Sequence, residues 1–142
     1  MIPLGIRLNN PSNIRYNALN NWKGQVKSRC KNGFCYFSNP EYGVRALLSL
    51  LRTYIYRYNL TSVRQIISRF APPSDGNDTE LYIKNVCKHL SCTPDSSLSF
   101  DFYSTSIVSN LFYLASAICK QETGFELSHS VFSLALRDLM SF

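Results

Sequence analysis

From residue 41 onward the apolar side chains recur at helical spacing. Val44, Leu47, Leu48, Leu51, Ile55 and Tyr58 follow an i, i+3, i+4, i+7 rule, which predicts an amphipathic helix over 41–58. Asn39-Pro40-Glu41 suits its start: a capping side chain, a proline at the first helical position and an early acid. A shorter helix runs through Val63, Ile66, Ile67 and Phe70, with Thr61 or Ser62 as its cap, and "APPSDGND" (71–78) breaks it. Further helices are expected over about 79–91, with Asp78 or Thr79 as cap, over about 104–122 and over about 128–140. Ile107, Leu111, Leu114, Ala115 and Ile118 form the stripe of the fourth, and Phe132, Ala135, Leu136 and Leu139 that of the last.

The first forty residues follow another pattern. They are rich in Asn, Gly and Pro, and no helix is expected there. "NIRYN" and "RCKNGFCYF" read as short strands around turns, and Asn32-Gly33 is the strongest two-residue hairpin signal. The expected fold class is therefore α+β, mainly α. One domain (1–142) would hold a small N-terminal β-hairpin lobe (1–40) and a helical lobe (41–142).

Composition narrows the class. At 142 residues, 45% hydrophobic and 17% charged, the chain suits one globular domain with a real core. No apolar run reaches the roughly 18 residues of a transmembrane helix, and "MIPLGIRLNN" does not read as a signal peptide. The net charge of +6 favours an anionic partner. The basic residues are scattered rather than blocked, and no helix clusters them, which argues against nucleic acid.

Five cysteines are many for a reduced compartment. In a hairpin turning at Asn32-Gly33, Cys30 and Cys35 form the non-hydrogen-bonded pair, where Cα atoms are closest, a geometry that suits a disulfide. Cys87 and Cys92, in "CKHLSC", are a second candidate pair, and Cys119 is left to pack in a helix. Reduced, buried thiols are the alternative for all five. His89 and His129 are isolated from any CxxC, so neither a metal site nor a cofactor is expected.

One carboxylate stands out. Glu122, in "KQETGFELS", lies four residues after Ile118 and eleven after Leu111, on the apolar stripe of its helix, with Gly124 as terminator. Burial and the negative end of the helix dipole both favour a protonated carboxyl there, the state a general acid for glycosidic cleavage needs. A solvated glutamate at a helix end fits the same spacing.

"QETGF" resembles the end of the catalytic helix in the lysozyme-like superfamily, in particular soluble lytic transglycosylases and bacterial glucosaminidases. Pieces similar to the glucosaminidase β-lobe stand at the beginning instead: "NNPSNIRYN" (9–17), "NNWKGQ" (20–25) and "CYFSNPEYGVRALLSLLRTYIYRY" (35–58), an apparently permuted order. Over roughly residues 5–90 the chain is also similar to phage virion "structural proteins" and to lysozyme-type toxins of secretion systems. Three departures stand out: Ser12 where that pattern has Gly, Phe70 where it has Trp, and Asp75 where it has Glu.

The resemblance implies peptidoglycan as substrate and a lysozyme-like glycosidase acting in the periplasm or cell wall. Delivery would be by a virion or a secretion apparatus, and a cognate inhibitor or immunity protein is a possible further partner. Glu122 would protonate the glycosidic oxygen, with Glu41 or Asp75 as second group. Without a second carboxylate, a lytic transglycosylase or substrate-assisted reaction follows. Trp22, Tyr16, Tyr36 and Tyr42 are candidates for stacking on sugar rings or for the core. Asn10, Asn13 and Gln25 are candidates for binding N-acetyl groups or for shaping turns. A non-catalytic virion or wall-binding protein is the competing class.

Overall fold

Asn39, Pro40 and Glu41 do open a helix. A computed structural model describes all 142 residues. In it the Asn39 carboxamide accepts the Tyr42 N–H at 3.2 Å to cap a helix over Pro40–Arg52. Six α-helices follow one another along the chain: α1 (Leu4–Arg7), α2 (Pro40–Arg52), α3 (Val63–Phe70), α4 (Thr79–Leu90), α5 (Asn110–Thr123) and α6 (His129–Met140). A single π-helical turn, Thr53–Arg57, prolongs α2 to the predicted length. No helix is long and apolar enough to cross a membrane.

Capping explains most of the boundaries. Ser62 starts α3 with a full capping box, its hydroxyl taking the Gln65 N–H while Gln65 reaches back. Asp78 caps α4, and Gly124, at φ 76°, ends α5. The expected start of α5 at 104 is corrected. Residues 104–109 are irregular and Ile107 is 46% exposed, off the buried stripe. Serines hold this stretch open: Ser106 Oγ accepts the Val108 N–H at 3.0 Å, and Ser109 Oγ donates to the Ser106 carbonyl at 2.9 Å. Such local bonds compete with helix, and the helix begins only after Ser109 caps it.

The core is one cluster. The inner face of α2, with Val44, Leu47, Leu48 and Leu51 fully buried, packs on α6. α4 packs on both α3 and α5, and α1 leans on the far end of α5.

The N-terminal lobe departs from expectation. It contains no β-strand, and it begins with the short helix α1 where none was expected. Three isolated antiparallel bridges remain, Arg15–Phe34, Gln25–Phe37 and Lys31–Phe34. The Asn32-Gly33 turn is present, with φ of 53° and 80° and both Lys31–Phe34 backbone bonds at about 3 Å. A 3₁₀ turn over Lys27–Arg29 then interrupts one arm, and pairing resumes beyond it only at the single Gln25–Phe37 bridge. Asn10 braces these few bonds. Fully buried, its amide donates to the carbonyls of Ile14 and Cys35 at 3.0 Å each and accepts the Ile14 N–H at 2.9 Å. Gly43 lets α2 press on this lobe, since a Cβ there would lie 2.0 Å from the Asn9 carbonyl oxygen.

Neither candidate disulfide is formed: all five cysteines are free thiols. Cys30 follows the 3₁₀ turn instead of lying in a strand, and its thiol faces the Val26 carbonyl at 3.8 Å. The Cys35 thiol donates to the Arg15 carbonyl at 3.6 Å. The two pairs are nevertheless neighbours. Burial first and Cys30 second push the Cys35 thiol up to about 11, and burial first and Cys92 second push Cys87 up to about 11.

Candidate functional site

Glu122 occupies the last turn of α5, half-buried, at the seam between the helices and the N-terminal lobe. Both carboxylate oxygens are held. Asn13 Nδ2 donates to Oε1 at 3.0 Å and the Tyr82 hydroxyl donates to Oε2 at 2.9 Å. Asn13 also reaches the Glu122 carbonyl at 3.3 Å, so one amide fixes both side chain and backbone of the helix end.

Each partner has a local cause. Asn13 closes the turn after Asn10 with φ 54°, a left-handed conformation that asparagine tolerates. The turn lies flush on α1 because Gly5 has no side chain: a Cβ there would sit 2.3 Å from Asn13 Oδ1 and 2.9 Å from Thr123. Tyr82, on the inner face of α4, is 3% exposed. Burial first, then the Glu122 charge, push its phenol well above the usual tyrosine range, so it stays protonated. The same two causes push the buried Cys119 thiol, one turn back on α5, to about 12.

Each carboxylate oxygen keeps a lone pair that no protein donor uses. The Tyr82 hydroxyl can both donate and accept, so it can stay bonded to Glu122 whether or not that carboxyl holds a proton. A proton can therefore be given or taken at Glu122 without rebuilding its surroundings.

Glu122 lines a cleft of about 420 Å³ between lobe and helices. Tyr16, Trp22, Phe34, Tyr54 and Phe70 supply aromatic walls, and Asn13, Asn17, Asn20 and Asn77 supply amides. Asp75, in a 3₁₀ turn over Pro73–Asp75, lies on the same cleft, with the Arg15 guanidinium 3.9 Å away and Arg15 itself resting on Phe34. Aromatic faces with a few neutral hydrogen-bonding groups suit a polar, ring-shaped ligand better than an ion.

The structure thus brings Glu122, Asp75, Asn13, Tyr16 and Trp22 together. Four other expected site residues lie elsewhere. Glu41 stands in the first turn of α2 and does not line the cleft. Tyr42 covers Gly24, with Lys23 6.0 Å from its ring. Gln25 accepts the Trp22 backbone N–H at 3.3 Å and so shapes the turn that carries the tryptophan. Asn10 is the buried brace of the lobe, with no face toward a ligand.

Tyr82 is the main residue that sequence reasoning missed. It falls in helical phase with Ile83 and Val86, which reads as core, and nothing local pairs it with a residue forty positions away. A signal did exist: a buried tyrosine hydroxyl requires a partner.

Fold and site together define a mainly helical domain whose cleft centres on one hydrogen-bonded glutamate. No family model matches the chain. It is similar to Protein P5 of Pseudoalteromonas phage PM2, with 36% identity over 101 residues covering 70% of the chain. The chain spans 62% of the length of that protein.

Proposed function

We propose that the domain cleaves peptidoglycan glycan strands by general-acid catalysis at Glu122. One observation carries this reading. A single glutamate, held by Asn13 and Tyr82, is presented to a cleft walled by aromatic rings and amides. The aromatic faces stack on sugar rings and the amides bond to hydroxyl and acetamido groups. Glu122 delivers its proton to the glycosidic oxygen through a free lone-pair position, and Asn13 and Tyr82 stabilise the carboxylate that results.

Asp75 is the second carboxylate within the cleft and is the candidate for activating water, with the Arg15 guanidinium 3.9 Å from it. If Asp75 takes no part, the sugar closes on itself and the product is anhydro. The similarity to a phage protein supports delivery to the wall by a virion.

The test is release of soluble muropeptides from purified peptidoglycan by wild type and by Glu122→Gln, read by mass spectrometry. Release falls about 10²- to 10⁴-fold in the variant, and Asp75→Asn shifts the products from reducing to anhydro ends. Undiminished release by Glu122→Gln would remove Glu122 as the acid. Binding to peptidoglycan without any release by wild type would favour a non-catalytic virion or wall-binding role.

A further inference from the structure

The cleft wall made by Leu50, Tyr54 and Phe70 continues onto the outer surface through one cation. Arg69 directly precedes Phe70 at the end of α3. Its guanidinium carbon lies 5.5 Å from the ring centroid of Tyr54 and 4.1 Å from that of Tyr58. Tyr54 itself lines the cleft, from the π-helical turn that extends α2. Arg69 is exposed, yet no carboxylate lies within reach of it. Arg15, Arg45 and Arg64 each face an aspartate or glutamate. Arg29 and Arg137 also rest on a ring without a carboxylate, but neither Tyr36 nor Phe142 lines the cleft.

An arginine resting on aromatic faces is positioned without using its N–H groups. Cation–π contact fixes the guanidinium, and its donors stay free for a planar oxyanion. Such a fork binds carboxylate through two parallel bonds. The dipole of α3 also favours a cation in its last turn, but a single lysine would satisfy that and needs no paired tyrosines.

We propose that Arg69, braced by Tyr54 and Tyr58, is a carboxylate-binding subsite that takes the acidic group of a peptide stem carried by the sugar in the cleft. The inference rests on reading the cleft as a glycan site and adds which part of the polymer is recognised beyond the sugars. Arg69 is here a specificity residue, without contact to the bond that is broken.

The experiment compares wild type, Arg69→Gln and Arg69→Lys, each first shown to melt at the wild-type temperature. The substrates are peptidoglycan free of phosphate-bearing wall polymers, with its peptide stems intact, and the same glycan after an amidase has removed them. Arg69→Gln loses about tenfold in kcat/KM on the intact polymer, the size of one charge-assisted contact. It is unchanged on the stripped glycan, and Arg69→Lys recovers only part of the loss. An equal loss on both substrates, or none on either, overturns the subsite. If wild type cleaves neither substrate, cosedimentation with the two polymers reads the same residue. Weaker binding of Arg69→Gln to the intact polymer alone supports the subsite, even as the glycosidase reading fails. Equal binding of wild type and Arg69→Gln overturns the subsite.

Discussion

The N-terminal lobe and the helical body are held together by different physics. The body (residues 40–142) is stabilised by apolar burial: one cluster in which the side chains of α2, α4, α5 and α6 interlock. The lobe contributes little to that cluster. Of its first forty residues only Ile14, Cys35 and Phe37 join the core, and its shape comes from turns and side-chain-to-backbone bonds. Asn9, Asn13 and Asn32 occupy left-handed conformations in which other side chains are strained. Asn10 braces the few backbone bonds that cross the lobe. A body built on area tolerates repacking, whereas a lobe built on a few directed bonds fails locally when one is removed. The cleft lies between them, so Glu122 comes from the stable partner and Asn13 from the fragile one.

The contrast can be broken or sharpened by substitution. Leu47→Ala empties a fully buried position on α2 and should cost about 2–5 kcal/mol. The whole domain should lose stability in chemical denaturation, with a single transition. A body that unfolds in steps would contradict the single core.

Asn10→Ala should cost less, about 1–3 kcal/mol, because the Cys35 carbonyl and the Ile14 N–H are left without their partner. Its signature is local. Amides of residues 10–37 should lose hydrogen-exchange protection while those of α2, α4 and α5 keep theirs. Glycan release should fall too, since Asn13 loses its seat. Uniform loss of protection would mean that lobe and body form one cooperative unit.

A last effect is absent at neutral pH and appears only in alkali. Cys119 ionises at about 12 in the folded protein, because of burial and then the Glu122 charge, against 9.0 for an ordinary thiol. The folded state therefore favours the neutral thiol. Its contribution is fully present below pH 9 and is lost as pH rises from about 9 to about 12. Tyr82 shifts in the same direction for the same first cause. Denaturation midpoints should fall across that range, and Cys119→Ala should flatten the fall. An unchanged slope in the variant would show that Cys119 is not the titrating group.

Much of the body was legible along the chain. The capping signals at Asn39, Ser62 and Asp78, the αL stop at Gly124 and the apolar stripes are local, and local rules place them. The error at 104–109 is also local: serines that bond to nearby backbone stopped the periodic pattern from becoming helix. The lobe was harder to read. Its Asn-Gly turn was visible, but the strands around it were not formed. A buried asparagine braces the few isolated bridges that remain, and no propensity encodes that.

Sequence by itself missed α1 and the start of α5, but it determined that the segments of α2, α3, α4 and α6 are helical, where α5 stops, and that Glu122 ends an apolar stripe. These follow from spacing and from interactions within one turn. Tertiary structure alone decided Glu122's partners, because Asn13 and Tyr82 lie 109 and 40 residues away and meet it only when α4, α5 and the lobe pack. It also left Glu41 outside the cleft and Asp75 on it, and set Arg69 against two tyrosines. The reason is physical: a site is a set of distances between elements, and only close packing of the elements fixes those distances.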